Sequence, residues 1–165
     1  MLEYAVVLIF PAVMAFAAAM DLLTMTIPNR LTLALAAAFF VAAPVMGLPF
    51  ADMALHVGAG LLVLAAGITL FAIGGFGGGD AKLLAAGALW IGFDGLLPYL
   101  VYVTIFGGVL ALVVLAYRRV PATALPIPHW AARLHTASSG IPYGIAIASS
   151  ALLIYPHTPL FAVAA

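Results

Sequence analysis

Six apolar runs, separated by short stretches that carry seven of the ten charged residues and the densest cluster of glycine, organise the 165-residue chain. The runs predict helices over about 2–20, 31–47, 53–73, 80–93, 96–117 and 141–160. At about 1.5 Å per residue, the first run just covers a hydrocarbon core of about 30 Å. The breaks read as turns: Ile27-Pro28-Asn29, Pro49-Phe50-Ala51-Asp52, the glycine stretch Gly74 to Gly79, Asp94-Gly95, and a proline-bearing loop from Arg118 to Gly140. The region 80–117 is short for two full spans, which predicts a short helix or a locally thinned bilayer. A short interfacial helix within 118–140 would put Trp130, Leu134 and Ala137 on one face, and Trp with Arg133 suits a headgroup layer.

Composition sharpens the pattern. The chain is 67% hydrophobic and 6% charged, with no cysteine and a formal net charge of zero. So few charges cannot cover a water-facing surface, so the expectation is an all-α polytopic membrane protein, one bundle of six transmembrane helices. Its length leaves no room for a soluble domain. Met1-Leu2-Glu3-Tyr4 lacks the basic region of a cleavable signal peptide. No basic run points to nucleic acid, and the missing cysteines remove disulfides, a thiol nucleophile and a thiolate zinc site. With six spans, Arg30, Lys82, Arg118, Arg119 and Arg133 fall on one side, and Glu3, Asp52 and Asp94 on the other. Basic loops favour the cytoplasm, which places both termini on the non-cytoplasmic side. Asp21 and Asp80 lie on the basic side, against the trend of the other acids.

Those two aspartates are the candidate chemistry. Each sits at the inner end of a predicted helix, where an ionisable group is costly and is commonly functional. Two carboxylates sharing one site cannot both ionise cheaply, so one keeps a proton near neutral pH and the pair titrates as a unit. Such a pair supplies a base that activates water and an acid that polarises a peptide carbonyl and protonates the leaving amine, with no metal or cofactor. The other donor sets are poor. His56 and His157 lie towards one side and His129 and His135 towards the other, and Ser138-Ser139 has no evident His/Asp partners. Lys82, two residues from Asp80, would not share its helix face and reads as a phosphate-level anchor with a modest role at the site.

Three motifs in this order resemble those of the type IV prepilin peptidases, aspartic proteases of the GxGD type. They are Asp21 followed after five residues by Ile27-Pro28-Asn29; Gly77-Gly78-Gly79-Asp80-Ala81-Lys82; and Gly140-Ile141-Pro142-Tyr143-Gly144. The resemblance covers nearly the whole chain and implies an endopeptidase of the cell inner membrane. Such enzymes remove the short basic leader of prepilins and pseudopilins at the cytoplasmic face, typically after a glycine that precedes a hydrophobic helix. It maps the family's catalytic aspartates onto Asp21 and Asp80. Longer relatives carry a cysteine-bearing segment linked to N-methylation. This chain is similar to the short CpaA-like form associated with Flp/Tad pili, and no N-methyltransferase domain is expected. Gly77 and Gly79 would let substrate backbone approach Asp80; Pro28 would stop the first helix, Asn29 would cap the second, and Pro142 would stand in the first turn of the last.

Two other classes stay open at this stage. A small transporter or proton-conducting protein would use Asp21 and Asp80 as ion-binding groups, but it should show polar groups near mid-membrane and often repeated halves. A non-catalytic scaffold of a secretion machine would tolerate Asp→Asn at both positions.

Overall fold

The computed structural model describes residues 2–120, 128–136 and 140–162, and every regular element among them is helical. The helices are α1 (Leu2–Thr24), α2 (Asn29–Val45), α3 (Phe50–Ala72), α4 (Gly78–Arg118), α5 (His129–His135), α6 (Gly144–Ile154) and α7 (Pro159–Ala162), with a 3-10 turn at Tyr155–His157. Among the described residues, three stretches are long and apolar enough to cross a membrane: Ala5–Thr24, Phe50–Ala72 and Gly78–Arg118. Asn29–Val45 and Gly144–His157 are shorter apolar helices. Leu8, Phe16, Leu33, Leu61, Leu97 and Leu112 all face outward and exposed. An apolar exterior of this kind suits lipid, and the chain is a membrane protein.

The longest helix folds back on itself. Gly92 has φ 74° and ψ −180° inside α4, which divides it into an arm over 78–91 and an arm over 93–118. The Tyr99 hydroxyl donates to the Leu84 carbonyl at 3.5 Å. In a straight helix those residues would stand about 22 Å apart along the axis, so the two arms lie side by side. The sequence places this reversal at Asp94-Gly95; the structure keeps both residues helical and puts the break at Gly92. The reason lies across the bundle in α3. The His56 ring occupies the place of a side chain at 92, 2.7 Å from where a Cβ would stand. Its Nδ1–H donates to the Leu89 carbonyl at 2.8 Å, satisfying an acceptor beside the break.

The 78–91 arm is the buried centre of the molecule. Nearly every residue from Ala81 to Gly92 is inside, as expected for a helix that is apolar all round. Trp90 anchors it, donating from Nε1 to the Leu35 carbonyl at 2.9 Å and stacking on Phe10 at 5.2 Å. On the α3 side the approach is close because Gly60 faces Leu89 and Gly67 faces Ala81, small residues being what allows apolar helices to touch in lipid.

Several helix ends differ from the expectation. α1 runs on to Thr24, so Asp21 sits within its last turn. Thr24 Oγ1 donates to the Met20 carbonyl at 2.7 Å, and the turn closes on Met25 in the left-handed region at φ 55°. Asn29 does not cap α2. Pro28, in extended conformation, is the N-cap, and Asn29 is the first helical residue. Pro142 precedes the last long helix rather than standing in its first turn, since α6 begins at Gly144. That helix ends at Ile154 because Pro156 and Pro159 interrupt it, with Thr158 held extended before Pro159. In α5, Trp130 and Leu134 lie one turn apart on the same side of the helix, Leu134 and Ala131 buried and Trp130 37% exposed; Ala137 lies outside the described residues. Arg118 fixes the end of α5, donating from Nε to Leu134 O at 2.6 Å and from Nη2 to Gly140 O at 2.7 Å.

Candidate active site

One end of the bundle gathers the close of α1, the starts of α2, α4 and α6, and the glycine stretch. Asp21 is buried there, 5% exposed. The Gly144 N–H, the first of α6, donates to its Oδ2 at 2.7 Å. A helix start presents unpaired amides and a partial positive charge, so it suits a carboxylate. The approach requires glycine. A Cβ at 144 would stand 2.8 Å from Asp21 Oδ2 and 3.0 Å from Ile27 Cδ1.

Asp80 occupies the first turn of α4, half-buried, again at a helix start. Its Oδ2 folds over Gly77, the N-cap, where any side chain would collide with it. Gly79 backs onto Ile27, whose Cβ a side chain at 79 would meet at 3.3 Å. The space left by Gly77 and Gly79 is thus filled by the protein's own atoms. Ile27 touches both helix starts, Gly79 on one side and Gly144 on the other. Ile27 therefore lies between the start of α4, which carries Asp80, and the start of α6, whose first amide holds Asp21.

Tyr143 completes this region, and sequence reasoning missed it. Its ring meets the edge of Phe76 at 5.7 Å, with 80° between the planes. Its hydroxyl end lies over Gly107 in the second arm of α4. Partial burial, and next the negative charge of Asp80, push its hydroxyl above the usual tyrosine range. The sequence signal was its place between Pro142 and Gly144. The Gly144 amide has no signal at all, because a backbone donor is the same at every residue but proline.

Pro28, Asn29 and Lys82 lie at the same end but on another face of the 78–91 arm. Lys82 Nζ donates to Asn29 Oδ1 at 2.8 Å. Both line the end of an apolar groove of about 780 Å³ that runs between α2, α3 and this arm, past Ala36, Leu64 and Ala85, to Leu89. The histidines are scattered: His56 beside Gly92, His135 against Tyr117 at 4.2 Å, His157 in the 3-10 turn. Among the described residues no three His, Asp or Glu side chains come together as metal ligands would. Ser138 and Ser139 lie outside the described residues.

The fold and site define a class: a helical membrane protein with two acidic side chains at one end of its bundle, where its helices end or start. The family follows from the sequence. Residues 8–112 match the model of the type IV leader peptidase family, and the chain belongs to it. The matched region contains both Asp21 and Asp80; the start of α6 lies beyond it. Comparison with curated proteins finds no match, and neither does comparison with solved structures.

Proposed function

We propose that this chain is an aspartic endopeptidase in which Asp21 and Asp80 together activate water against a peptide bond. One carboxylate takes a proton from water; the other, protonated, polarises the carbonyl oxygen and then protonates the leaving amine. What supports this reading is the placement of both acids at one end of the bundle, with Ile27 between the helix starts at Gly79 and Gly144, in a chain of the leader peptidase family. The Gly144 amide orients Asp21. Burial strengthens every charge interaction there and shields the reacting bond from bulk water.

The substrate in this reading is a prepilin or pseudopilin of the Flp type, with a basic leader followed by an apolar helix. The groove between α2, α3 and the 78–91 arm receives the start of that helix, since it is apolar along its length and ends beside the α4 start. Lys82 at its mouth repels the basic leader and so favours one direction of entry. Counting α4 as two arms gives six crossings, with the acids at the cytoplasmic face of the inner membrane and both termini outside. The chain acts as a single membrane domain.

The test is cleavage of a Flp-type prepilin in membranes by the wild type, Asp21→Asn and Asp80→Asn. Each variant is expected to lose processing, and a chelator to leave the wild type unaffected. Full processing by either variant removes that residue from the catalytic role, and loss on chelation points to a metal.

A further inference from the structure

We propose that Tyr143 is a positioning residue, whose ring clamps Phe76 and so holds the glycine stretch that carries Asp80 against the helix start that grips Asp21. The inference rests on the reading of Asp21 and Asp80 as the catalytic pair. Between Ile73 and Asp80 the chain reads Gly74-Gly75-Phe76-Gly77-Gly78-Gly79. Five glycines give this stretch wide backbone freedom, and Gly74 uses it at φ 76°. Phe76 is therefore the one side chain by which packing can fix the approach to Asp80. Its ring meets Tyr143 edge to face. Tyr143 immediately precedes the amide that holds Asp21, and it is braced from behind because Gly107 leaves room for its hydroxyl end. One contact thus ties the glycine stretch that leads to Asp80 to the helix start that holds Asp21. Both rings are only partly buried and pack at the edge of the core, so the clamp can yield when substrate enters.

The experiment measures kcat, KM and the pH profile of prepilin cleavage for Phe76→Ala, Tyr143→Ala, the double variant and Tyr143→Phe, full-length in lipid. An edge-to-face pair supplies up to about tenfold in rate. Each alanine variant is expected to lower kcat about tenfold, with KM within about twofold. The double variant should fall about tenfold as well, not a hundredfold, because both changes remove the same contact. Separated carboxyls repel less, so the acid and alkaline limbs of the profile should draw together in all three. Simple loss of folded enzyme lowers the profile without moving its limbs. Tyr143→Phe keeps the ring and should stay within about threefold of wild type with unmoved limbs. Should Tyr143→Ala not insert, Phe76→Leu reads the same contact. A hundredfold loss in the double variant, or unmoved limbs in the alanine variants, overturns the clamp. A loss in Tyr143→Phe equal to that in Tyr143→Ala overturns it too, by giving the hydroxyl a direct role. Processing by Asp21→Asn or Asp80→Asn would instead overturn the catalytic pair itself.

Discussion

Asp21 depends on a residue with no side chain. Gly144 brings its amide to 2.7 Å from the carboxylate because nothing projects between them. Gly144→Ala would press a methyl onto Asp21 and Ile27, forcing the carboxylate away. A displacement of about 1 Å at a reacting group can cost about a hundredfold in rate. The expected result is a fall in kcat of that order with the protein still folded, checked by prepilin cleavage beside thermal unfolding in detergent. Gly77→Ala should act likewise through Asp80. The two acids were legible in the sequence, since charge is rare in such an apolar chain and costly to place there. The role of Asn29 was misread: Pro28 already stands at the N-cap of α2, which leaves the Asn29 amide free to accept from Lys82. Tyr143 was passed over although it stands inside the third motif, because its contacts with Phe76 and Gly107 are tertiary.

At the scale of elements, the fold-back of α4 was legible as a need, while its position was not. The apolar stretch 80–117 is too long for one crossing and offers Gly92 and Asp94-Gly95 as breaks. Local turn chemistry favours the second pair. The structure takes the first because His56, 36 residues earlier on α3, fills the space beside Gly92 and bonds the Leu89 carbonyl. That contact is tertiary and leaves no local trace. Gly92→Ala must accept both φ 74° and a Cβ 2.7 Å from the imidazole. The cost is about 2 kcal/mol or more, seen as a lower thermal midpoint. His56→Ala leaves the Leu89 acceptor without that donor and opens a cavity, for a loss of about 2–3 kcal/mol. Both changes lie at the end of the 78–91 arm away from the two acids, so the fraction that remains folded should keep wild-type kcat.

Across the whole molecule, charge is sorted by end. Lys82 and Arg118 stand with the two acids' end of the bundle, through Asn29 and through Leu134 and Gly140. Asp52 and Asp94 share a small cavity at the other end with His56 and Phe93. Within a bilayer that polarity sets orientation, since basic loops are retained on the cytoplasmic side. The chain has no cysteine, so each introduced thiol reports one position without a background. Asp52→Cys and Asp94→Cys should react with a membrane-impermeant maleimide added to intact cells freed of their outer barrier. Arg30→Cys and Arg119→Cys should react only once the membrane is opened. The pattern tests more than orientation. Asp52 and Asp94 flank α3 and the 78–91 arm, while Asp94 and Arg119 flank the second arm, so outside labelling at 52 and 94 with inside labelling at 119 requires that both arms cross the membrane. Labelling at 94 and 119 from the same side would mean that α4 does not return through the bilayer as a hairpin, and the proposed acid pair would then lack the cytoplasmic setting of the proposed leader cleavage.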